Sequence, residues 1–459
     1  MDRRMSAEPS PMRAFYNLLV NNAVAGVVNF TVWFAITFWV FLETRSVFAT
    51  GMIAGVFLVL TAAFAVWFGS LVDHYPKTRV MLGSSLASLA CYALSLGLLL
   101  ITPEPVFRDV ALPQLWVLIG LVMLGVIAGN VRTIALPTLV TLLVAEDRRD
   151  KANGLVGMAT GIGFLTTSMI SGLLVAWAGM TGAIGFAIGL TVLVIAHLLT
   201  VRMPAGTQRA ASGTEADTGP DASPDRRIDL AGTLKVVGAV PGLFALILFA
   251  AFNNLLAGVF MALMDAYGLS LMSVQAWGFL WAGVSVSFIV SGLIIAKVGL
   301  GPKPLRTLLI VNLIMWSVAS VFTLQTSIPL LAIGCACWMF LGPWAEAAEQ
   351  TTLQKVVPYE RQGRVFGFAQ SVEQAASPLT AFLIGPLTQF IVIPFMTDGW
   401  GAETLGGWFG TGADRGMALV FTVAGLCGVV LTILAFNSRA YRRLSAAYAA
   451  APDKEDAAQ

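Results

Sequence analysis

Charged residues are scarce in this 459-residue chain: only 11% are Asp, Glu, Lys or Arg, whereas 57% of all residues are hydrophobic. A soluble domain carries about 25% charged residues, so this chain lacks the polar material that a water-facing surface needs. The formal net charge is only +2, and the basic residues lie in short, scattered clusters. This distribution argues against a nucleic-acid-binding surface, which would gather its basic residues on one face.

Residues that hold metals or act as nucleophiles are also few. The two histidines, His74 and His197, form no grouping of metal ligands. The four cysteines all lie in apolar stretches, and the Cys335-Ala-Cys337 spacing matches neither a redox nor a zinc motif. No Gly-x-x-x-x-Gly-Lys-Ser/Thr loop for ATP is present. We therefore expect neither an enzyme nor a bound metal or other cofactor.

What the chain has instead is a series of long apolar stretches. Each is long enough to cross about 30 Å of hydrocarbon as a helix. The first, Phe15–Leu42, is too long for a cleaved signal peptide. The pattern predicts twelve transmembrane helices, at 15–42, 47–72, 79–101, 113–143, 152–178, 180–201, 240–266, 272–296, 304–324, 328–355, 365–395 and 415–437.

The Lys and Arg residues lie mainly on one side of these predicted spans. Of the 27 basic residues, 23 fall in the two termini and in the loops on the same side of the membrane as the termini. Because basic loops stay in the cytoplasm, both termini are predicted to be cytoplasmic.

One change in composition divides the chain. Residues 204–229 are rich in Ala, Gly, Pro, Ser, Thr and charge, and they lack the large apolar groups that a folded segment buries. The predicted organisation is a six-helix bundle at 1–203, a flexible cytoplasmic linker at 204–235, a second six-helix bundle at 236–438 and a cytoplasmic tail at 439–459.

The two predicted bundles are related by short repeats. Asn21-Asn22-Ala-Val-Ala-Gly-Val in helix 1 corresponds to Asn253-Asn254-Leu-Leu-Ala-Gly-Val in helix 7. The loop after helix 4, from Val144, likewise matches the loop after helix 10, from Val357, in the order of acid, Arg, basic residue and Gly. Two related halves are what alternating access requires, because rocking one half against the other exposes a central site to each side in turn.

The turn between helices 2 and 3 carries the strongest motif. It reads Gly69-Ser-Leu-Val-Asp73-His74-Tyr-Pro-Lys77-Thr-Arg79 and resembles the Gly-x-Leu-x-Asp-Arg-x-Gly-Arg-Lys/Arg pattern of the major facilitator superfamily, from which His74 and Pro76 depart. The stretch from Gln354 to Gly367 is similar to the loop before helix 11 in drug-efflux members, the macrolide-exporter-like branch in particular. The resemblance implies a cytoplasmic gate formed by Gly69, Asp73, Lys77, Arg79, Arg361 and Arg364.

The resemblance also implies an all-α membrane protein of the major facilitator fold that works as a secondary transporter. The expected activity is proton-coupled efflux of small amphipathic or lipophilic compounds from a monomer in the inner or plasma membrane, with protons and membrane lipid as partners. Export or import of one defined metabolite, such as a siderophore or lysolipid, is an alternative. A membrane receptor or scaffold without transport is an alternative of another class.

Charges inside the spans are the candidates for coupling chemistry. A charge at the bilayer centre costs about 2.5–3.5 kcal/mol on insertion scales, so it usually faces a cavity or a partner. Helix spacing places Glu346 and Glu349 on one face of helix 10, and the repeat places Arg132 of helix 4 at a similar depth. The hypothesis is that one of these glutamates carries protons with Arg132 as charge partner. The alternatives are a static salt bridge or a charge that snorkels near the cytoplasmic surface. Asp265 and Glu373 are further candidates.

Amides and aromatic side chains are candidates for a substrate cavity. Asn21, Asn22, Asn253 and Asn254 must find partners within the membrane, either across helices or on a substrate. Trp33 and Trp338, together with Phe34 and Phe260, are candidates to line an apolar pocket, although packing or lipid contact is the more frequent role of such residues.

Overall fold

The computed structural model describes residues 10–44, 47–204 and 230–451, and within them the chain is helical, without a β-strand. This confirms the all-α prediction. The long helices, numbered here as α1 to α12, are α1 Pro11–Thr44, α2 Val47–His74, α3 Lys77–Ile101, α4 Pro113–Leu143, α5 149–178, α6 180–200, α7 Leu243–Leu271, α8 Val274–Val298, α9 Pro304–Val321, α10 Ile328–Val356, α11 Gln362–Leu387 and α12 Ala413–Asn437.

Breaks inside the long helices follow from local sequence. Gly179 has φ 61° and ψ −167°, a conformation that favours glycine, and it separates α5 from α6. Asn130 interrupts α4, and Pro137, which has no backbone N–H, follows within its second part. At its far end α11 continues through a π-helical turn, Thr388–Val392, into the short helix Ile393–Thr397.

Nine helical stretches are, by length and composition of the described residues, able to cross a membrane. Eight of these stretches lie in α1, α3, α4, α7, α8, α9, α10 and α12, and the ninth, Ile170–Thr200, comprises the end of α5 and all of α6. Of the remaining long helices, α2 contains the shorter apolar stretch Val59–His74, while the stretch Leu383–Thr397 begins in α11 and continues through the π-helical turn to the end of the helix Ile393–Thr397.

Short helices lie outside the twelve. Leu230–Ala239 precedes α7 and begins inside the segment that we predict as a linker, of which residues 205–229 lie outside the described residues. Trp400–Phe409 precedes α12. Arg439–Ala450 follows α12 within the predicted tail, and Ser438 caps it by accepting a hydrogen bond from the Tyr441 amide.

The helices form two compact units. Unit 1 comprises Met1–Ala152, Ile162–Val236 and Val357–Phe368, and unit 2 comprises Asn153–Gly161, Val237–Val356 and Ala369–Gln459. Each unit therefore takes most of one predicted bundle and a short segment from the sequence of the other. The domain boundaries drawn from composition stay a prediction.

Unit 1 is held together by small polar residues between α3 and α4. The Ser88 hydroxyl donates to the Gly125 carbonyl at 2.7 Å, and the Ser84 hydroxyl donates to the Ala128 carbonyl at 2.9 Å. The ring of Tyr92 is fully buried beside Gly125. Short side chains let the two backbones approach closely, as is usual for helices in a membrane.

Unit 2 has an aromatic core. The ring of Phe260 lies 4.9 Å from Phe421, 5.6 Å from Trp338 and 6.0 Å from both Trp316 and Phe322. Gly428 of α12 faces Trp316 of α9, and a methyl group on that glycine would overlap the indole ring. The core therefore depends on the absence of a side chain at this point in α12.

Candidate functional site

A buried polar network in unit 1 surrounds Arg132. Its guanidinium donates to the Asn21 side-chain oxygen at 2.9 Å and to the Ser85 hydroxyl at 2.7 Å. The Asn21 amide nitrogen donates to the Val194 carbonyl at 2.8 Å and lies 3.2 Å from the Nδ1 atom of His197. Arg132 is 4% exposed, and the partners that its hydrogen bonds reach are all neutral. A pairing of Arg132 with Glu346 or Glu349 stays a prediction.

The paired amides divide into two roles that repeat in both units. Asn253 donates to the Phe249 carbonyl at 2.9 Å and accepts from the Trp316 indole at 2.6 Å, so it joins α7 to α9, as Asn21 joins α1 to α4 and α6. Asn22 and Asn254 have no side-chain hydrogen bond to the described residues, and the Asn22 side-chain oxygen is buried. Sequence reasoning treated both members of each pair alike, because it does not specify which way a side chain points.

Three glutamates meet in unit 2. The carboxyl groups of Glu349 of α10 and Glu373 of α11 lie within hydrogen-bonding reach of each other, and Glu346 lies close enough to interact with both. Two carboxyl groups at this separation can form a hydrogen bond only when one of them carries a proton, because ionised carboxylates only accept. Glu346 is exposed, whereas Glu349 and Glu373 are partly buried. The structure thus brings together three of the predicted coupling residues.

The fourth acidic candidate is engaged elsewhere in unit 2. Asp265 accepts a hydrogen bond from the Trp277 indole at 2.9 Å, which links α7 to α8. This bond gives the carboxylate a structural partner near the end of α7.

The predicted cavity aromatics are found in clusters of rings. Trp33 packs at 4.8 Å from Phe34 and at 5.8 Å from Phe57, and its indole nitrogen is buried without a hydrogen-bond partner among the described residues. Trp338 is partly buried at the edge of the aromatic core of unit 2, 4.9 Å from Trp316. Phe260, by contrast, is 8% exposed and lies inside that core.

The predicted gate lies within unit 1 and is built around Asp73. One carboxylate oxygen of Asp73 accepts from the Gly363 amide at 2.6 Å, and the other accepts from the Arg364 amide at 2.8 Å. These amides belong to the first turn of α11, whose N–H groups have no partner within their own helix. Asp73 therefore caps α11 from the end of α2, and its negative charge meets the positive end of the α11 dipole. We call this arrangement the α2–α11 latch.

Close backbone contact supports the α2–α11 latch. A methyl group on Gly69 would overlap the Gly363 carbonyl, and one on Gly367 would overlap the Ala65 carbonyl. The two glycines of α11 are four residues apart and therefore share one face of the helix. This Gly-x-x-x-Gly spacing was the signal in the sequence that could have identified Gly363 and Gly367 as partners of Gly69.

Not every basic residue of the motif joins the latch. Lys77 is 3% exposed, and its ammonium group lies 5.0 Å from the centre of the Tyr359 ring. Burial raises the pKa of Tyr359, and the charges of Asp73 and Glu360 raise it further. Arg79 and Arg361 are exposed, and no ion pair joins either of them to the described residues.

Two further polar clusters were not predicted. In unit 2, Asn153 and Gln354 form a reciprocal amide pair with bonds of 3.0 and 3.3 Å. Arg415, at the start of α12, donates to the carbonyls of Phe409, Thr323 and Leu324 at 2.6 to 2.9 Å. Neither cluster has a motif in the sequence, because the partners are distant along the chain or are backbone atoms.

The architecture defines a polytopic secondary transporter, and comparison with known proteins agrees. Residues 18–381 match the family model of the major facilitator superfamily, so the chain belongs to this superfamily. It is a multi-pass integral membrane protein and a transporter of small molecules, not an enzyme. Among curated proteins, no sequence match was found.

Solved structures with a similar fold transport different compounds. A bacterial homologue of the iron transporter ferroportin, in an outward-facing state, superimposes with a TM-score of 0.66 at 15% identity, over 92% of this chain and 98% of that one. The proton:xylose symporter XylE superimposes with a TM-score of 0.62 at 13% sequence identity, over 93% of this chain and 96% of that one. The human organic anion transporter MFSD10 superimposes with a TM-score of 0.59 at 14% sequence identity, over 93% of this chain and 100% of that one. At such identities the likeness concerns the fold alone.

Proposed function

We propose that this chain is a proton-coupled exporter of small amphipathic or lipophilic compounds that works by alternating access. The observation that carries the proposal is the group of three carboxyls formed by Glu346, Glu349 and Glu373. A single charge at the bilayer centre costs about 2.5–3.5 kcal/mol. Two adjacent negative charges also repel each other, so the Glu349–Glu373 pair retains at least one proton at rest.

Glu346 is the third carboxyl of this group and is the candidate relay for its proton. A proton carrier has to exchange its proton with solvent in at least one state of the transport cycle. Glu346 lies about one helical turn from Glu349 on α10 and interacts with both carboxyls of the pair, so it is placed to exchange a proton with them. We propose that Glu349 and Glu373 hold the coupling proton and that Glu346 relays it.

Helix α11 offers a physical link between the proton site and the gate. Gly363 and Arg364 in its first turn bind Asp73, and Glu373 lies ten residues beyond Gly363 on the same continuous helix. A change of charge at Glu373 that shifts α11 would therefore strain the α2–α11 latch. We propose that the latch is the cytoplasmic gate of the transport cycle.

In each unit taken by itself, the proposed substrate contacts are side chains without a polar partner among the described residues. Asn22 and Asn254 occupy equivalent positions in the repeat and supply amide groups. Trp33 adds an indole N–H without a described partner, and Trp338 adds an aromatic surface at the edge of the unit 2 core. Apolar walls with a few polar groups are typical of sites for small organic ligands. The direction of transport rests on the resemblance to drug-efflux members.

Transport into everted membrane vesicles tests this function. Vesicles carrying the protein are energised with a proton gradient and supplied with fluorescent dyes, macrolides and tetracyclines. A protonmotive force supplies about 2.3 kcal/mol per charge per 100 mV, enough to drive measurable accumulation. We expect accumulation of several compounds that collapses with a protonophore. Accumulation that is independent of the gradient would refute proton coupling, and transport of a single compound would favour a dedicated metabolite carrier.

Substitution of the carboxyls tests the proton site. Glu349→Gln and Glu373→Gln keep the size of the side chain and a hydrogen bond between the two positions, but remove the ionisable group. We expect each to abolish proton-driven accumulation while leaving the protein folded. Glu403→Gln is the matched control, because Glu403 is exposed in the short helix before α12. Normal coupling in both buried variants would exclude these residues as proton carriers.

A further inference from the structure

His74 is bonded on both sides of its ring at the end of α2. Its Nδ1 atom lies 2.8 Å from the Ser70 carbonyl oxygen and 3.4 Å from the Ser70 hydroxyl. Its Nε2 atom lies 3.0 Å from a guanidinium nitrogen of Arg364, in the first turn of α11. The side chain is partly buried, so solvent protons can reach it.

These two contacts determine the protonation state of the ring. A carbonyl oxygen only accepts, so Nδ1 must carry a hydrogen that it donates to Ser70. A guanidinium nitrogen only donates, so Nε2 must be the acceptor and carry no hydrogen. Both conditions are met only by the neutral imidazole with its proton on Nδ1. In the imidazolium, two positively charged N–H donors would face each other across the 3.0 Å contact with Arg364.

Arg364 is a member of the α2–α11 latch. Its backbone amide donates to Asp73 at 2.8 Å, and its Nε atom lies 3.6 Å from the same carboxylate oxygen. Asp73 therefore holds the backbone of Arg364, and the bond to His74 holds its side chain.

The charged and titratable groups around His74 come from every neighbouring element. Asp73 is the next residue on α2, and Arg364 comes from α11. Lys77 at the start of α3 interacts with Asp73, while Tyr359 and Glu360 lie in the turn before α11. Two of the nearby groups, Lys77 and Arg364, are cationic. Burial raises the pKa of Asp73 to about 7, although the N–H groups of α11 that it accepts lower it, so Asp73 titrates in the same range of pH as a histidine.

We infer that His74 is a positioning residue of the α2–α11 latch, which holds Arg364 in place only while its imidazole is neutral, so that a fall in pH on this side of the membrane releases the latch. The inference rests on the proposed role of the latch as the cytoplasmic gate. Histidine changes charge between about pH 5 and 8, the range in which such a release would be useful. The family pattern has Arg at this position, and an arginine would not lose its charge in this range.

Proton linkage determines whether acid favours the latched or the released state. The latched state requires neutral His74, whereas the released state can bind a proton, so the released state binds more protons. Acid therefore favours release, and alkaline conditions favour the latch. For one proton the ratio of latched to released molecules changes by at most about tenfold per pH unit.

A distance measurement tests the inference without any transport. Spin labels are placed on cysteines at Tyr75 and Pro358, which are exposed on the two sides of the latch, in a background without the four native cysteines. The distance distribution is recorded from pH 8 to pH 5.5. We expect a single short distance at pH 8 and a second, longer population that grows towards pH 5.5 by up to about tenfold per unit.

Two variants separate His74 from other titrating groups. In His74→Gln the amide oxygen can accept from Arg364 but does not titrate, so we expect a smaller pH dependence than in the parent, and Asp73, whose pKa burial raises to about 7, accounts for the remainder. His197→Gln, which removes the only other histidine, is the matched control and should keep the pH dependence of the parent. The inference is overturned if His74→Gln shifts with pH as the parent does, or if the parent does not shift.

The ring nitrogens themselves provide a second measurement that does not depend on a folded variant being active. With only two histidines, a ¹⁵N-labelled sample gives two sets of imidazole signals, and the set missing from His74→Gln belongs to His74. At pH 8 we expect the neutral form with its proton on Nδ1. A charged ring, or a proton on Nε2, would overturn the inference. A failure of the vesicle assays with unchanged distance and NMR results would instead count against the proposed function.

Discussion

Replacement of Asp73 by asparagine tests the physical basis of the α2–α11 latch. The side chain of Asp73 is only 1% exposed, and its two oxygens accept the Gly363 and Arg364 amides. Asparagine has the same shape but only one acceptor oxygen, and its NH₂ group would face one of the two backbone amides. The variant therefore loses one charged hydrogen bond, weakens the other and leaves a donor at the end of α11 without a partner.

The free-energy cost of Asp73→Asn follows from the hydrogen bonds that it removes or weakens. A hydrogen bond to a charged group is worth about 1.5–3 kcal/mol, against about 1 kcal/mol for a neutral one. Loss of one charged bond and weakening of the other amount to about 3 kcal/mol. Because each 1.4 kcal/mol is a factor of about ten, the ratio of latched to released molecules should fall about 100-fold.

The assay is the distance between the spin labels at Tyr75 and Pro358, measured at pH 8, where the parent is expected to be latched. Asp73→Asn should convert much of the short-distance population into the longer one. Asp147→Asn is the matched control, because the Asp147 side chain is 75% exposed in the turn after α4. An unchanged distribution in Asp73→Asn, in a protein that still folds, would show that the charge of Asp73 does not hold the latch.

Two further predictions concern stability. Gly367→Ala should lower the free energy of unfolding by about 1–3 kcal/mol, because the added methyl group meets the Ala65 carbonyl. Gly83→Ala is the control and should not lower it, because no atom lies within 4 Å of the added methyl group. Equal melting temperatures of the two variants in detergent would contradict the tight contact at Gly367. Asn21→Ala should destabilise by about 1–3 kcal/mol because it removes an acceptor from buried Arg132, while Asn22→Ala should keep the melting temperature and alter the KM of transport. Equal effects of the two asparagine substitutions would refute the division of roles.

The twelve helices were predictable from the sequence because the membrane requires each span to be long, apolar and internally hydrogen-bonded. The boundary between α5 and α6 was predicted on either side of residue 179, where Gly179 leaves the helical conformation. The helix Arg439–Ala450 was not predicted, because a short segment with three arginines and several alanines has no membrane requirement that would reveal it. The orientation of the termini stays a prediction from the distribution of basic residues.

The sequence could identify many residues of the candidate sites, but it could only partly predict which of them are in contact. The motif around Asp73 pointed to the start of α11, yet Gly363, Tyr359 and His74 emerged as members of the cluster only from the three-dimensional arrangement. Helix spacing placed Glu346 and Glu349 on one face of α10. Spacing along one helix gave no information about Glu373, because its position depends on how α11 packs beside α10.

By itself the sequence determined the class of this protein: a chain so poor in charge and so rich in long apolar stretches must lie in a membrane, and its repeated motifs indicate a two-part transporter. Only the tertiary structure decided which polar groups satisfy one another and which remain available. Asn21 and Asn22 are identical and adjacent, but one bonds a buried arginine and the other has no partner among the described residues. The physical reason is that a hydrogen bond depends on distance and direction between helices, which the order of residues along one helix does not specify.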